Sequence, residues 1–343
     1  MGTARAIDFP LTATRRAGGV QAAVAIDDVT MRFDDQLALD RVSLSVPSGT
    51  ILGMIGPSGA GKTTTIRLLT GTLAPTSGSV VVLGENPRRF TQTTRMRIGY
   101  MPQALTLFPD LTARENVDLA ASLFGMLFRS RRRRTREVLE LVDLWGARGR
   151  RASQLSGGMQ RRLELACALV HDPSLLFLDE PTASIDPLLR ERIWQELHRL
   201  RRDGRTLVVT TQYVNEAEAC DTVALITEGQ LIALATPDEL RRQAMGGDII
   251  EIETAAIFDA TQLSDLPFIR EARQLGPRHL RVAVDDAGSA IPDVVEAVER
   301  HDGEVTSARE ERPTFDEVFA RLVERHRRVR TESDAESGSG SDR

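Results

Sequence analysis

The chain has almost no lysine: of its 44 Lys and Arg residues, Lys62 alone is lysine. A guanidinium is a planar fork and an ammonium a compact point charge with rotatable donors. A chain that uses arginine everywhere else therefore keeps its one lysine where a tight site rejects the fork. Cysteine is scarce too. Cys167 and Cys220 stand alone, outside any CxxC or metal-ligand spacing, which excludes a disulfide scaffold and a zinc ribbon; the expectation is a cytosolic chain with both thiols reduced. Long apolar runs are missing, and none approaches the ~20 residues of a bilayer-spanning helix. Residues 1–23 contain arginines but no apolar block of signal-peptide length. No large charge excess exists either: the net charge is −5, which argues against a general polyanion binder. What is left, 41% hydrophobic and 27% charged over 343 residues, fits a globular protein with one large and one smaller domain.

In chain order, residues 1–23 are mixed and aperiodic and read as a flexible N-terminal arm. Residues 24–33 and 39–46 partly alternate apolar and polar side chains, as half-buried antiparallel strands do. Ile51-Leu52-Gly53-Met54-Ile55 and residues 79–84 read as further strands. Residues 104–172 are helix-dominated. Their arginine run, 129–136, continues into Glu137-Val138-Leu139-Glu140-Leu141-Val142 and reads as the solvated start of an amphipathic helix, not as a nucleic-acid patch. Leu175-Leu176-Phe177-Leu178, ending in Asp179-Glu180, is the wholly apolar run of a central parallel strand. A helix over 188–201, a strand over 206–211 and a helix over 237–244 continue an α/β alternation up to Gly246-Gly247. Beyond that break, residues 246–326 read as a small α+β domain. Its strands lie at 248–254, 267–274, 279–285 and 304–309, its helices at 291–300 and 315–325, and it carries no catalytic constellation. Residues 327–343, rich in Ser, Gly and acids, are expected to be disordered.

The stretch that organises the chain is Gly56-Pro57-Ser58-Gly59-Ala60-Gly61-Lys62-Thr63-Thr64, between an apolar strand and the start of a helix. That context is what a phosphate-binding loop needs. The glycines let backbone N–H groups point inward around an anion, and the helix adds the positive end of its dipole. Lys62 is placed to reach the β- and γ-phosphates, and the Thr63 hydroxyl to ligate Mg²⁺. A second anion cradle follows at Leu155-Ser156-Gly157-Gly158-Met159-Gln160, where a hydroxyl and two small residues open a helix. One triphosphate needs one cradle, so two suggest that the second faces a nucleotide held by another subunit.

Taken in order, these motifs resemble the ATP-binding subunit of an ABC transporter over 24–245. The resemblance implies a P-loop NTPase of the α/β class, with a RecA-like core, an antiparallel β subdomain and a helical subdomain at about 104–172. It implies ATP and Mg²⁺ as cofactors and a head-to-tail pair of cassettes, with Ser156, Gly157 and Gly158 on the partner's γ-phosphate. By the same resemblance Gln103 contacts Mg²⁺ and joins core to helical subdomain, and Asp179 supports the metal. Glu180 polarises the attacking water, Asp186 in Ala183-Ser184-Ile185-Asp186 crosses the interface, and Phe33 stacks on adenine. The segment Leu107-Phe108-Pro109-Asp110-Leu111-Thr112-Ala113-Arg114-Glu115-Asn116, with Pro313-Thr314-Phe315-Asp316-Glu317-Val318-Phe319, resembles bacterial ABC-2-type drug, lipid and polysaccharide export cassettes. There the first of these segments receives the permease. The implied setting is the cytoplasmic face of the membrane, held there by separate permease chains, with a second copy of the cassette and no nucleic acid. One position departs: the family's γ-phosphate histidine is Gln212, in Thr210-Thr211-Gln212-Tyr213. Three alternatives stand beside the exporter: a DNA-repair cassette, a translation cassette, and a nucleotide-gated module with little turnover. No sustained heptads favour the first, and one phosphate loop rather than two disfavours the second.

Overall fold

In a computed structural model, residues 22–183, 185–264 and 266–338 are described. β1 (Ala22–Phe33) and β2 (Gln36–Pro47) form an antiparallel hairpin. Val24 faces Val46 and Ile26 faces Leu44, so the alternation seen in the sequence puts one apolar row inside. β1 already begins at Ala22, ahead of the expected boundary at residue 23; residues 1–21 of the expected arm lie outside the described residues. β3 (Ile51–Ile55), α1 (Lys62–Leu69) and β4 (Ser77–Val82) follow, and β4 pairs with β1 to close a three-stranded antiparallel sheet.

After the short α2 (Gln92–Met96) and β5 (Ile98–Met101), the chain leaves the sheet for three helices: α3 (Ala113–Leu123), α4 (Phe128–Leu141) and α5 (Gly157–Leu169). Thr112 and Glu115 form a reciprocal capping box that fixes the start of α3. The chain re-enters with β6 (Leu175–Asp179), crosses through α6 (Pro187–Arg202) to β7 (Thr206–Thr211), and adds β8 (Thr222–Thr227) and β9 (Gln230–Ala235). The resulting six-stranded sheet has the order β5-β6-β7-β3-β8-β9, with β5/β6, β6/β7, β7/β3 and β3/β8 parallel. Every residue of β3, β6 and β7 is buried, which is why β3 and Leu175–Leu178 of β6 read as apolar runs, while β7 buries Thr206, Thr210 and Thr211 beside its apolar centre. The α/β core with an antiparallel sheet and a helical insertion is the architecture expected of the cassette.

The chain divides into two compact units between Leu231 and Ile232. Gly246, with its left-handed backbone, is the C-cap of a helix. α7 (Pro237–Met245), capped by Thr236 and Glu239, belongs to the second unit. There the Arg241 guanidinium lies 4.5 Å from the centre of the Phe315 ring and donates to the Pro313 carbonyl at 3.2 Å. This unit holds β10 (Asp248–Thr254), β11 (Ile269–Gly276), β12 (His279–Val284), α8 (Ala287–Arg300), β13 (Val305–Glu311) and α9 (Phe315–Gly338). Its antiparallel sheet runs β11-β12-β10-β13, and Ile250, Ile252, Leu280 and Val282 pack with Val294 and Val298 of α8. α8 starts at Ala287, capped by Asp286, four residues ahead of the expected start at 291, with Pro292 held inside the helix. α9 also overruns its expectation. The sequence suggests disorder from residue 327, whereas the helix continues to Gly338, with Glu324 and Arg328 paired one turn apart and the Thr331 hydroxyl donating to the Arg327 carbonyl. Residues 339–343 of that expected tail lie outside the described residues.

Candidate active site

β3 delivers the chain into the glycine loop from the middle of the sheet. A Cβ on Gly56 would lie 1.9 Å from the Ile226 carbonyl oxygen of β8, so no side chain fits there. Gly59 and Gly61 hold φ of 79° and 105°, and Gly61 caps α1 without a side chain. The first N–H groups of α1 consequently have neither an intrahelical acceptor nor a capping oxygen. Lys62 is only 5% exposed, and its Nζ donates to the carbonyls of Gly56 at 2.7 Å and Pro57 at 2.9 Å. Burial pulls its pKa below the ordinary lysine value, while the nearby carboxylates of Glu180 and Asp179 act the other way. A pocket this closed accounts for the single lysine. Lys62→Arg, although it keeps the charge, is expected to weaken ATP binding at least about tenfold (about 1.4 kcal/mol) in a fluorescent-nucleotide titration, because a planar fork cannot take this place.

Asp179 ends β6 and is fully buried. Its Oδ1 accepts from the Thr210 hydroxyl, and its Oδ2 has no hydrogen-bond partner among the described residues. A buried carboxylate oxygen without a donor is costly unless a cation meets it. The Thr63 hydroxyl donates to Gln103 Oε1 at 3.5 Å, which brings two more neutral oxygens together beside the loop. Hard oxygen donors of this kind suit Mg²⁺. Glu180 follows Asp179 with φ at 53°, an uncommon left-handed conformation for a side chain of its size. It is held there from both sides. Its N–H is directed at the Thr210 carbonyl (3.1 Å) and hydroxyl (3.0 Å), and its carbonyl accepts from Arg161.

Arg161 is the residue sequence reasoning missed. It is 5% exposed on α5, and its Nε and Nη2 reach the Glu180 carbonyl at 3.2 and 3.0 Å, with Nη2 also on the Asp179 carbonyl. Nη1 donates to the carbonyls of Pro102 (2.7 Å) and Gln103 (3.0 Å) and pairs with Glu164 at 2.9 Å. Glu164, itself buried, accepts from the Thr106 N–H and hydroxyl; burial raises its carboxyl above the ordinary range, with Thr106 and Arg161 opposing. One guanidinium thus ties the glutamine segment, the end of β6 and α5 together. The available signal was a charged pair at i and i+3 in a helix rich in Leu and Ala on all sides, Leu163, Leu165, Ala166 and Ala168.

The second cradle lies open. Ser156 caps α5 by accepting from the Met159 N–H at 3.4 Å, and Ser156 and Gly157 are exposed. Nothing stands within 4 Å of a Cβ placed on Gly157, and no hydrogen bond joins residues 156–158 to the glycine loop among the described residues. Asp186 is exposed and caps α6 through the Leu189 N–H at 3.1 Å; its neighbour Ser184 lies outside the described residues. Phe33 sits 40% exposed beside the β1–β2 turn, opposite Gln36 and out of the core. Gln212 is exposed, and its side chain makes no hydrogen bond to a described residue. The segment carrying it is nevertheless fixed. Arg190 lies 4.2 Å over the Tyr213 ring, donates to the Ile185 carbonyl at 3.4 Å and stands 3.7 Å from Glu216, which accepts from the Thr182 hydroxyl at 2.7 Å.

Set beside known proteins, residues 39–183 match the family model described as ABC transporter. Residues 236–323 match the one described as ATP-binding protein DrrA1-3-like, C-terminal domain. The daunorubicin resistance ATP-binding protein DrrA3 of Streptomyces coeruleorubidus is 37% identical over 312 residues, 90% of this chain and 98% of that protein. The Nod factor export ATP-binding protein I of Paraburkholderia xenovorans (strain LB400) is 37% identical over 273 residues, 76% of this chain and 90% of that one. Among solved structures, the ATP-binding cassette MJ0796, dimeric in a post-hydrolysis state with ADP and Pi, aligns with a TM-score of 0.58 and 30% identity, covering 62% of this chain and 98% of that one. A relative matched at this identity over nearly its whole length leaves one assignment: the chain belongs to the ATP-binding subunits of ABC transporters.

Proposed function

We propose that the chain binds MgATP in its glycine loop, closes head to tail on a second copy, and hydrolyses the nucleotide to power a separate permease of the export type. The observation that carries this reading is the pair of anion cradles: one is built around Lys62, and the other is exposed at Ser156 and Gly157 with no hydrogen bond to the first. An exposed cradle at a helix start suits a phosphate presented from outside. Ser156, Gly157 and Gly158 then meet the γ-phosphate held by the partner, and Asp186 lies at the join. In the glycine loop, the backbone of Gly56, Pro57, Ser58, Gly59, Ala60 and Gly61 surrounds the phosphates, and Thr63 and Thr64 continue the contact along α1. Lys62 gives up its loop carbonyls for the β- and γ-phosphate oxygens. Thr63, Gln103 and Asp179 would hold Mg²⁺, which neutralises phosphate charge when bound. Glu180 accepts the proton of the attacking water, and Phe33 offers its exposed ring to the adenine.

Exporter-type coupling is supported by the relatives' names and by the loop before α3, where Leu105 and Phe108 are 50% and 56% exposed. Among the described residues no helix is long and apolar enough to cross a membrane. The proposed setting is therefore the cytoplasmic face of the membrane, with the spans supplied by permease chains. Gln212 tests the site most sharply. Its amide can donate to a γ-phosphate oxygen but does not titrate near neutrality, so turnover is expected to show no imidazole-like inflection between pH ~6 and ~7.5. Gln212→His should keep activity. Gln212→Ala at saturating MgATP should lose at least about tenfold in turnover, equivalent to about 1.4 kcal/mol of transition-state contact; unchanged turnover in the Ala variant would remove Gln212 from the site.

A further inference from the structure

The corner between α3 and α4 combines features that the nucleotide site does not use. Leu123, Leu127 and Phe128 are 78%, 81% and 67% exposed and stand on either side of the turn at Gly125. Directly after them come Arg129, Arg131, Arg132, Arg133, Arg134 and Arg136, and no acidic residue occurs anywhere in 122–136, in a chain whose net charge is −5. The inner face of α4 is settled, with Thr135, Val138 and Leu139 buried. Arg129, Arg132, Arg133 and Arg136 are exposed. Arg133 and Arg136 are paired one turn on with Glu137 and Glu140, whereas Arg129 and Arg132 have no acidic partner among the described residues. Arg131 lies 5.6 Å from the Phe128 ring centre and donates to the Ser122 hydroxyl at 2.6 Å, which ties the start of α4 to the end of α3.

We infer that this corner rests on an anionic phospholipid surface. Leu123, Leu127 and Phe128 enter the headgroup boundary, and Arg129 and Arg132 meet lipid phosphates. Apolar tips beside a basic helix face are the composition that partitions into a membrane interface, and basic clusters gain from the negative leaflet potential. A nucleic acid would use the arginines but has no place for two exposed leucines. The lipid contact requires neither a permease nor a nucleotide. It would orient a chain that has no spanning helix among its described residues before any permease is engaged.

The test is co-sedimentation of the full chain, without permease, with vesicles of phosphatidylcholine alone or with one third phosphatidylglycerol. Binding is expected to the phosphatidylglycerol vesicles only, and to weaken at high salt. Arg129→Glu/Arg132→Glu and Leu127→Ser/Phe128→Ser should each lower that binding at least about tenfold, with ATP turnover unchanged, as expected for changes confined to an exposed corner. No binding to the anionic vesicles would overturn the inference. So would binding that the arginine pair abolishes and the Leu127→Ser/Phe128→Ser change leaves intact, or equal binding to duplex DNA at the same salt, since either marks a plain polyanion surface.

Discussion

Glu180→Gln is expected to bind MgATP as tightly as the native chain and to turn it over at least about 100-fold more slowly. The amide keeps the size and hydrogen-bonding reach of the carboxylate and loses only the capacity to take a proton. The backbone that aims it should not move. The left-handed conformation at residue 180 is fixed by Thr210 on the N–H side and Arg161 on the carbonyl side, and neither contact involves the side chain that changes. A fluorescent-nucleotide titration with a phosphate-release assay on the same preparation separates the two quantities. Turnover within a few-fold of the native rate would remove the general-base role from Glu180.

The second large effect is expected at Arg161. Arg161→Met removes every tie between α5 and the carbonyls of Pro102, Gln103, Asp179 and Glu180 and leaves Glu164 buried without its cation. Breaking a buried pair on one side costs about 3–5 kcal/mol of stability, so this variant alone confounds folding with catalysis. Arg161→Met/Glu164→Gln separates them. With both charges gone, much of the stability should return. Turnover should stay at least about tenfold below native, because a misplacement of about 1 Å in a catalytic group can cost about 100-fold. ATP affinity should change little, since Lys62 and the glycine loop are untouched. Recovery of turnover together with thermal stability would show Arg161 to be structural only.

The difference between Glu180 and Arg161 also explains what could be read from the sequence. The glycine loop, Asp179-Glu180 and Ser156-Gly157-Gly158, the proposed site groups, are contiguous residues at strand and helix ends, so order and spacing expose them. Arg161 acts on backbone carbonyls up to 59 positions away, and an acceptor that is a carbonyl leaves no residue type to recognise. The buried strands β3 and β6 were legible as apolar runs, and β7 from its β-branched Thr and Val residues. β5 was not, because it is four residues long; for β8 and β9 the available signal was the apolar run Val223-Ala224-Leu225-Ile226 ahead of the Glu228-Gly229 turn. Gly246, with φ at 81°, marks the end of α7 correctly. The contacts of Arg241 with Pro313 and Phe315 tie that helix to the second unit. The extension of α9 was hidden by Ser, Gly and acids, a composition that argues for disorder even where i, i+4 pairing continues a helix.

The most direct test of a site shared between two copies is the solution mass of Glu180→Gln by light scattering with and without MgATP. The expected result is one chain without nucleotide and two chains with it. The pair should be lost when Gly157→Glu puts a carboxylate into the exposed cradle, where it repels the partner's γ-phosphate, while ATP still binds each single chain. A Glu180→Gln chain that holds MgATP and keeps the mass of one copy, or a pair indifferent to Gly157→Glu, would contradict the shared site.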